Sequence, residues 1–165
     1  MLEDFDELTF DIFKFEKELN NRRKVLPIMT LNAMDKLNLV EGFWAFDTEK
    51  LAKFLNQVQS TYQESVQYHN DLHGADVMHM CYYFLKQTRM IHTLDLTELD
   101  TLAFIVSGVC HDLGHDGYTN GYHVNTISPR AIDSNDVAVQ ETYHASELFR
   151  ILNQDEFQFL DKLSH

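Results

Sequence analysis

Two short stretches gather the chain's histidine and acid chemistry: Tyr68-His69-Asn70-Asp71-Leu72-His73-Gly74-Ala75-Asp76-Val77 and His111-Asp112-Leu113-Gly114-His115-Asp116-Gly117. Read as the opening of a helix, the first sets His69 and His73 four residues apart on one face. The His111-Asp112 doublet offers an imidazole nitrogen and a carboxylate oxygen side by side. Alone, neither says much, because a His-x-x-x-His pair is commonly two surface histidines and a His-Asp dipeptide is weaker still. Their combination points to a metal cage. The doublet ends an apolar helix and runs into a glycine-rich turn, while the first cluster opens another apolar helix.

Imidazole nitrogen and carboxylate oxygen suit zinc, and a carboxylate shared between two ions suits a second, harder ion such as magnesium or manganese. His73, His111 and Asp112 are the candidate ligands, with Asp112 placed to bridge. Paired ions activate water at neutral pH and neutralise charge on a phosphoryl oxygen, so phosphoester hydrolysis is the reaction expected. That reaction needs an acid for the leaving oxygen. His69, one turn from His73, is the candidate, since an imidazole titrates in the useful range. His115, four residues after His111, together with Glu141 and His144, is placed to orient water around the ions. For Glu141 and His144 taken alone, the polar face of an ordinary helix is the competing reading.

The 165 residues are enough for one domain, 1–165, and a formal net charge of -13 argues against binding a nucleic-acid polymer. The one basic cluster, Arg22-Arg23-Lys24, reads as a solvated loop between helices. An anionic substrate must then meet positive charge from bound metal ions. Cys81 and Cys110 lie in apolar runs without Cys-x-x-Cys spacing, as buried thiols of a reducing compartment do. No stretch has the unbroken apolar length of a membrane span, and the start Met1-Leu2-Glu3-Asp4-Phe5-Asp6 is acidic where a signal peptide would be basic. A cytoplasmic protein is expected.

The elements that must position these residues read as helices throughout, so the fold class expected is all-α, a compact multi-helix bundle. Leu51, Phe54, Leu55, Val58 and Tyr62 form one apolar stripe, with Asp47 placed to cap its start. Val77, Met80, Cys81, Phe84 and Leu85 form a second. Leu99, Leu102, Ala103, Val106, Val109 and Cys110 form a third, behind a Thr97-x-x-Asp100 capping box. A further helix is expected over 137–152, with Asn135-Asp136 as its start signal and Val139, Leu148, Phe149 and Leu152 on one side. Between His111 and Asp136 the glycines and Pro129 mark a loop-rich passage. Phe5, Leu8, Phe10, Ile12, Phe13 and Phe15 read as a docking helix and turn.

With these residues assembled, the chain resembles the catalytic domain of class I 3′,5′-cyclic nucleotide phosphodiesterases, a branch of the HD-domain metal phosphohydrolases. The resemblance rests on Tyr-His-Asn-x-x-His-x-x-Asp-Val at 68–77 and His-Asp-x-x-His-x-Gly-x-x-Asn at 111–120. Phe10-Asp11-Ile12-Phe13-Lys14-Phe15 is similar to the family's entry segment, and Asn135-Asp136 with Glu141 and His144 to its next polar helix. The resemblance implies that His69 protonates the leaving 3′-oxygen, with Tyr68 lining the substrate pocket. It implies His73, His111 and Asp112 as metal ligands, Asp112 shared by both ions. His115, Glu141 and His144 would contact the metal-bound water network. The implied cofactors are two divalent ions, zinc at the tight site and magnesium or manganese at the other, and the implied substrate is cAMP or cGMP.

Three departures from the family pattern stand out. Gly74 replaces a usual alanine, for which only a modest helix penalty is expected. Gly114 and Asp116 stand where animal enzymes carry aspartate and proline, so the turn after the doublet is expected to be looser or differently shaped. The family's domain is also about twice as long, so the chain is expected to be its N-terminal portion. The remainder would hold the last aspartate ligand and the glutamine that recognises the base. Asp155 and Asp161 read as helix-start and surface residues and are poor substitutes. A homodimer is one arrangement that would complete such a site. Two other readings compete: a non-catalytic regulatory or dimerising remnant, and another HD-domain nucleotide phosphohydrolase.

Overall fold

The computed structural model describes residues 2–41 and 46–161. Among these residues the chain is helical, without a strand. The order is α1 (Ile12–Leu19), a 3-10 turn (Arg22–Lys24), α2 (Val25–Lys36), α3 (Thr48–Thr61), α4 (Asp71–Gln87), α5 (Met90–Thr93), α6 (Glu98–Cys110), α7 (Asn120–Asn125), α8 (Pro129–Asp133) and α9 (Val139–Leu152). The all-α class expected from the sequence is the class observed.

Most helices begin where a short polar side chain can accept from the otherwise unpaired amides of the first turn. Asp47 accepts from Glu49 N and Lys50 N to start α3. Thr97 and Asp100 close a reciprocal capping box on α6. Thr119 and Ser128 cap α7 and α8, with Pro129 in the first turn of the latter. The passage read as loop-rich thus holds two short capped helices. α9 differs from its expected start: Asn135 and Asp136 both sit at positive φ in the turn before it, and Ala138 stands at its N-terminal boundary without a side-chain cap.

α4 is the central element, packed against both α2 and α6, which also touch each other. The α3 stripe is buried throughout, from Leu51 to Tyr62, as its spacing predicts. The α4 stripe is rotated from the expected one. Leu72, Ala75, Met78, His79, Tyr82 and Leu85 face inward, while Val77, Met80 and Cys81 are half-buried and Phe84 is exposed. The inward turn of two polar residues has a cause. His79 Nε2 lies 2.8 Å from Phe5 O, and the Tyr82 hydroxyl donates to Asp6, so the N-terminal segment supplies partners that a helix wheel cannot reveal. In α6, Leu102, Val109 and Cys110 are buried as expected, but Leu99 and Ala103 are exposed and Ile105 takes the inner position. In α9, Val139 and Leu152 are buried while Phe149 is exposed. Phe5, Ile12 and Phe15 dock on the bundle, while Leu8 and Phe13 are exposed.

The Arg22-Arg23-Lys24 cluster is not merely solvated. Arg22 donates through Nε and Nη2 to Asp71 Oδ1 at 3.1 and 2.7 Å, and Arg23 pairs with Glu64. Gly108 decides how closely α4 and α6 approach: a Cβ there would lie 2.8 Å from Cys81 Sγ and 3.2 Å from Met78 Cα. That close approach brings the start of α4 beside the end of α6, where the two histidine clusters lie. Among the described residues no helix is long and apolar enough to cross a membrane.

Candidate metal centre

The first cluster straddles the start of α4. Asn70 is the N-cap: its Oδ1 accepts from Leu72 N at 3.1 Å and His73 N at 3.4 Å, and its Nδ2 donates to Val66 O and Gln67 O. His69 therefore precedes the helix and does not share a helical face with His73, contrary to the i, i+4 expectation. The two rings still meet, at 5.8 Å between centroids and perpendicular, because the chain turns at Asn70. The next residue, Asp71, is buried, and holds this turn to Arg22 and to Gln59 Nε2 at 3.3 Å. The second cluster forms where α6 ends, with His111 at its C-cap.

His73, His111 and Asp112 converge. Their atoms form a triangle: His111 Nε2 to His73 Nε2 is 3.1 Å, and Asp112 Oδ2 lies 3.3 Å from the His73 nitrogen and 3.2 Å from that of His111. His111 Nδ1 lies 2.9 Å from Gly108 O, so that nitrogen carries a proton and Nε2 is the atom turned inward. Two nitrogens and a carboxylate oxygen facing one point are a donor set that fits a borderline divalent cation such as zinc. Asp112 Oδ1 faces the other way, 3.7 Å from His144 Nε2. The carboxylate therefore belongs to two trios of possible ligand atoms, His73-His111-Asp112 and Asp112-His115-His144.

The electrostatics favour a ligand's protonation state at His73 and Asp112 but not at His111: burial would lower His111, yet its hydrogen bonds to Asp112 and Gly108 O and the Asp112 charge raise it, so a cation must displace a proton there. Burial, reinforced by the neighbouring His111 charge, lowers the pKa of His73 and keeps its ring neutral. Burial would raise Asp112, but the hydrogen bond and charge of His111, with His144 and His69, outweigh it and bring the carboxyl to about 2. Burial lowers His144 and His115 as well, the latter aided by His69.

His69, Asp112, His115, Asn120, Glu141 and His144 line a shared cavity of about 290 Å³. The His69 ring stacks on His115 at 4.1 Å and 14°, and His115 lies 5.5 Å from His144 at 20°. Glu141 sits on the exposed rim, accepting from Asn120 Nδ2 at 2.9 Å, which lowers its pKa. Tyr68 lies apart from this cavity. Its exposed ring rests 4.6 Å from His73 on the wall of a larger cavity of about 760 Å³, shared with Phe10, Ile12 and Phe13. Asp155 and Asp161 are exposed, and Asp161 pairs with Lys50 at 3.0 Å.

A supporting network went unread in the sequence. Asp116 Oδ1 accepts from Gln140 Nε2 at 2.9 Å and Tyr118 N at 3.2 Å, and His123 and Arg130 lie 3.3 and 3.5 Å from Oδ2. Arg130 also donates to Gln140 and to Gly114 O, and stacks over Tyr143 at 3.6 Å. Gln140 N donates to Asn120 Oδ1, the residue that holds Glu141. The turn bearing Asp112 and His115 is thereby clamped to α9, which bears Glu141 and His144. The departures at Gly114 and Asp116 were the available signal: Asp116 ties the turn by charge and hydrogen bonds, and Gly114 takes a φ of +71°.

Residues 68–165 match the family model described as 3′5′-cyclic nucleotide phosphodiesterase. A 3′,5′-cyclic-nucleotide phosphodiesterase, regA, of Dictyostelium discoideum is 33% identical over 155 residues, covering 94% of this chain and 18% of the relative. The human dual specificity calcium/calmodulin-dependent 3′,5′-cyclic nucleotide phosphodiesterase 1B is 32% identical over 164 residues, 99% of this chain and 30% of its own length. The human high affinity cAMP-specific and IBMX-insensitive 3′,5′-cyclic phosphodiesterase 8A is 35% identical over 147 residues, 89% and 17% respectively. The chain thus spans less than a third of these relatives. With the family match covering more than half of its residues, the chain belongs to the 3′,5′-cyclic nucleotide phosphodiesterase family.

Proposed function

We propose that this site hydrolyses the 3′-phosphoester bond of a 3′,5′-cyclic nucleotide, cAMP or cGMP, to the 5′-monophosphate, and so ends a second-messenger signal. The observation that carries the reading is the sharing of Asp112 between two ligand trios, with His69 stacked beside the second. His73, His111 and Asp112 Oδ2 would hold zinc, and Asp112 Oδ1 would face magnesium or manganese. Bound there, two divalent cations supply charge neutralisation at the phosphoryl group and a water acidic enough to attack phosphorus at neutral pH. With a net charge of -13, the chain leaves most of that neutralisation to cations.

His69 lines the same cavity as Asp112 without belonging to either trio, the place an acid should occupy. As the P–O3′ bond breaks, its imidazolium N–H gives a proton to O3′, which leaves as a neutral alcohol. The attacking water supplies the new P–O bond; Glu141 and His144 accept its hydrogen bonds, and the proton it loses passes through them to solvent. Tyr68, packed on His73, lines the approach from the larger cavity. A cytoplasmic setting accords with the two free cysteines.

The test is hydrolysis of cAMP and of cGMP by the zinc-loaded chain with magnesium or manganese, beside His69→Ala and His111→Ala. Both variants are expected to lose turnover, His69→Ala with its zinc retained and His111→Ala with its zinc lost. Turnover surviving in His69→Ala refutes the acid assignment. Failure of the fully loaded parent chain on both nucleotides means that these residues do not suffice without the expected C-terminal portion of the site, and the two variants are then compared in a chain that carries it; a longer chain that also fails refutes the proposed reaction.

A further inference from the structure

α2, α7 and α8 stop in the same way. Two consecutive backbone N–H groups turn back onto the last turn: Asn38 N to Asp35 O and Leu39 N to Met34 O after α2, Ile127 N to Val124 O and Ser128 N to His123 O after α7, Asn135 N to Ile132 O and Asp136 N to Ala131 O after α8. The first residue of each pair takes a left-handed φ, +57° at Asn38, +51° at Ile127 and +52° at Asn135. Asparagine tolerates that conformation. Isoleucine is badly suited to it, because Cβ crowds the following carbonyl oxygen and the branch leaves no way to yield.

Burial does not offset this strain. Ile127 is 73% exposed, the most exposed large apolar side chain among the described residues. Ile132 at 64% and Val137 at 66% follow on the same passage, where α7 and α8 pack on each other and on α9. All three are β-branched, so little side-chain freedom is lost when they are held against a partner.

Charge indicates what covers them. The chain carries a formal net charge of -13, so a second copy can approach only where acid is sparse. Residues 118–137 hold two acids, Asp133 and Asp136, and one base, Arg130, which is engaged inside the fold by Gln140, Gly114 O and Asp116. The passage has no charge pattern that would select a partner of opposite sign, and an aliphatic patch placed on a twofold axis is complementary to itself.

We propose that Ile127, with Ile132 and Val137, forms the face through which two copies of this chain associate, and that an isoleucine occupies the left-handed stop because the second copy buries it. The proposal is independent of the reaction proposed above.

Sedimentation of the whole chain over a range of concentration, at about 50 and about 500 mM salt, tests it. The parent should dimerise in roughly the micromolar range, and more tightly at the higher salt, where repulsion between two acidic copies is screened. Ile127→Asn copies the stop that α8 already uses, so it should fold. It should weaken dimerisation by about tenfold or more, while the Tm measured at monomeric dilution rises by about 2–4 °C. A parent still monomeric at about 100 μM overturns the proposal. So does an Ile127→Asn chain that dimerises as tightly as the parent, which would move the contact to another apolar face such as that of Phe149. Association that weakens with salt would mean ion pairs at the interface and overturns it as well. A Tm that falls in the variant would show that the fold itself requires the isoleucine, which removes the ground for the proposal.

Discussion

Gly74→Ala sets helix propensity against packing, and the structure says which wins. Gly74 lies in α4, where alanine in place of glycine should stabilise an unobstructed helix by about 1 kcal/mol. A Cβ at this position would lie 2.8 Å from the Tyr62 hydroxyl oxygen and 2.9 Å from Cζ of the same ring. Tyr62 cannot yield freely, since it is buried and donates to Val109 O at 3.0 Å, close to the end of the helix that carries His111. Overpacking costs about 1–3 kcal/mol, and a displaced hydroxyl forfeits about 1 kcal/mol more. The net expectation is destabilisation by roughly 1–3 kcal/mol, or about 3–10 °C in Tm for a domain of this size. Urea and thermal unfolding measure it. In a Tyr62→Phe background the same substitution should cost less, because the ring can slide without losing a hydrogen bond, and the difference is the coupling. A Gly74→Ala protein as stable as the parent, or more so, refutes the steric argument and leaves propensity in command.

Arg22→Ala leaves the Asp71 carboxylate, 2% exposed, without its cation. Breaking a fully buried pair costs about 3–5 kcal/mol, and with Arg22 36% exposed the expected loss falls to roughly 2–3 kcal/mol. Arg22→Met with Asp71→Asn should recover most of it, and equal losses in single and double variants would refute the pairing. Asp116 is held below its usual 3.8: burial raises it, but Gln140, the Tyr118 amide, Arg130 and His123 together lower it further. Its contribution is therefore complete above about pH 4 and lost as pH falls through the depressed value. The stability gap between parent and Asp116→Asn should shrink below that pH, and a gap that widens on acidification contradicts the network. Zinc at a hundred times its Kd should add about 2.7 kcal/mol to stability, and His111→Ala should abolish the resulting rise in Tm; an equal rise in that variant would place the ion elsewhere.

Local signals were the legible ones. Asp47 and the Thr97–Asp100 pair announced helix starts because a cap depends on residues two or three apart. The α3 stripe was legible because that helix buries a single face. The convergence of His73, His111 and Asp112 followed from two short blocks, although His69 arrived by a turn at Asn70 and not along a helix. What escaped was set at long range. α4 turns His79 and Tyr82 inward because Phe5 and Asp6, 74 and 76 residues away, supply the partners. Arg22 finds Asp71 across 49 residues, and Asp116 ties together side chains from three helices and a backbone amide of its own loop. No periodicity encodes such meetings. Gly74 looked like a minor departure because its cost lies in a ring on another helix.

The docking of Phe5 and Asp6 on α4 also sets an order of events during synthesis. The segment that completes the core beside His79 and Tyr82 leaves the ribosome ahead of α4, and its partners emerge 74 and 76 residues later. At about 5–20 residues per second the wait is roughly 4–15 s. Through that interval Phe5, Phe10 and Phe15, which cluster with one another and with His79 in the folded state, have no α4 to cover them. The nascent chain therefore passes through a stage in which an aromatic segment is free to be held by a chaperone or to stick to a neighbouring chain, and that exposure ends only when α4 has formed.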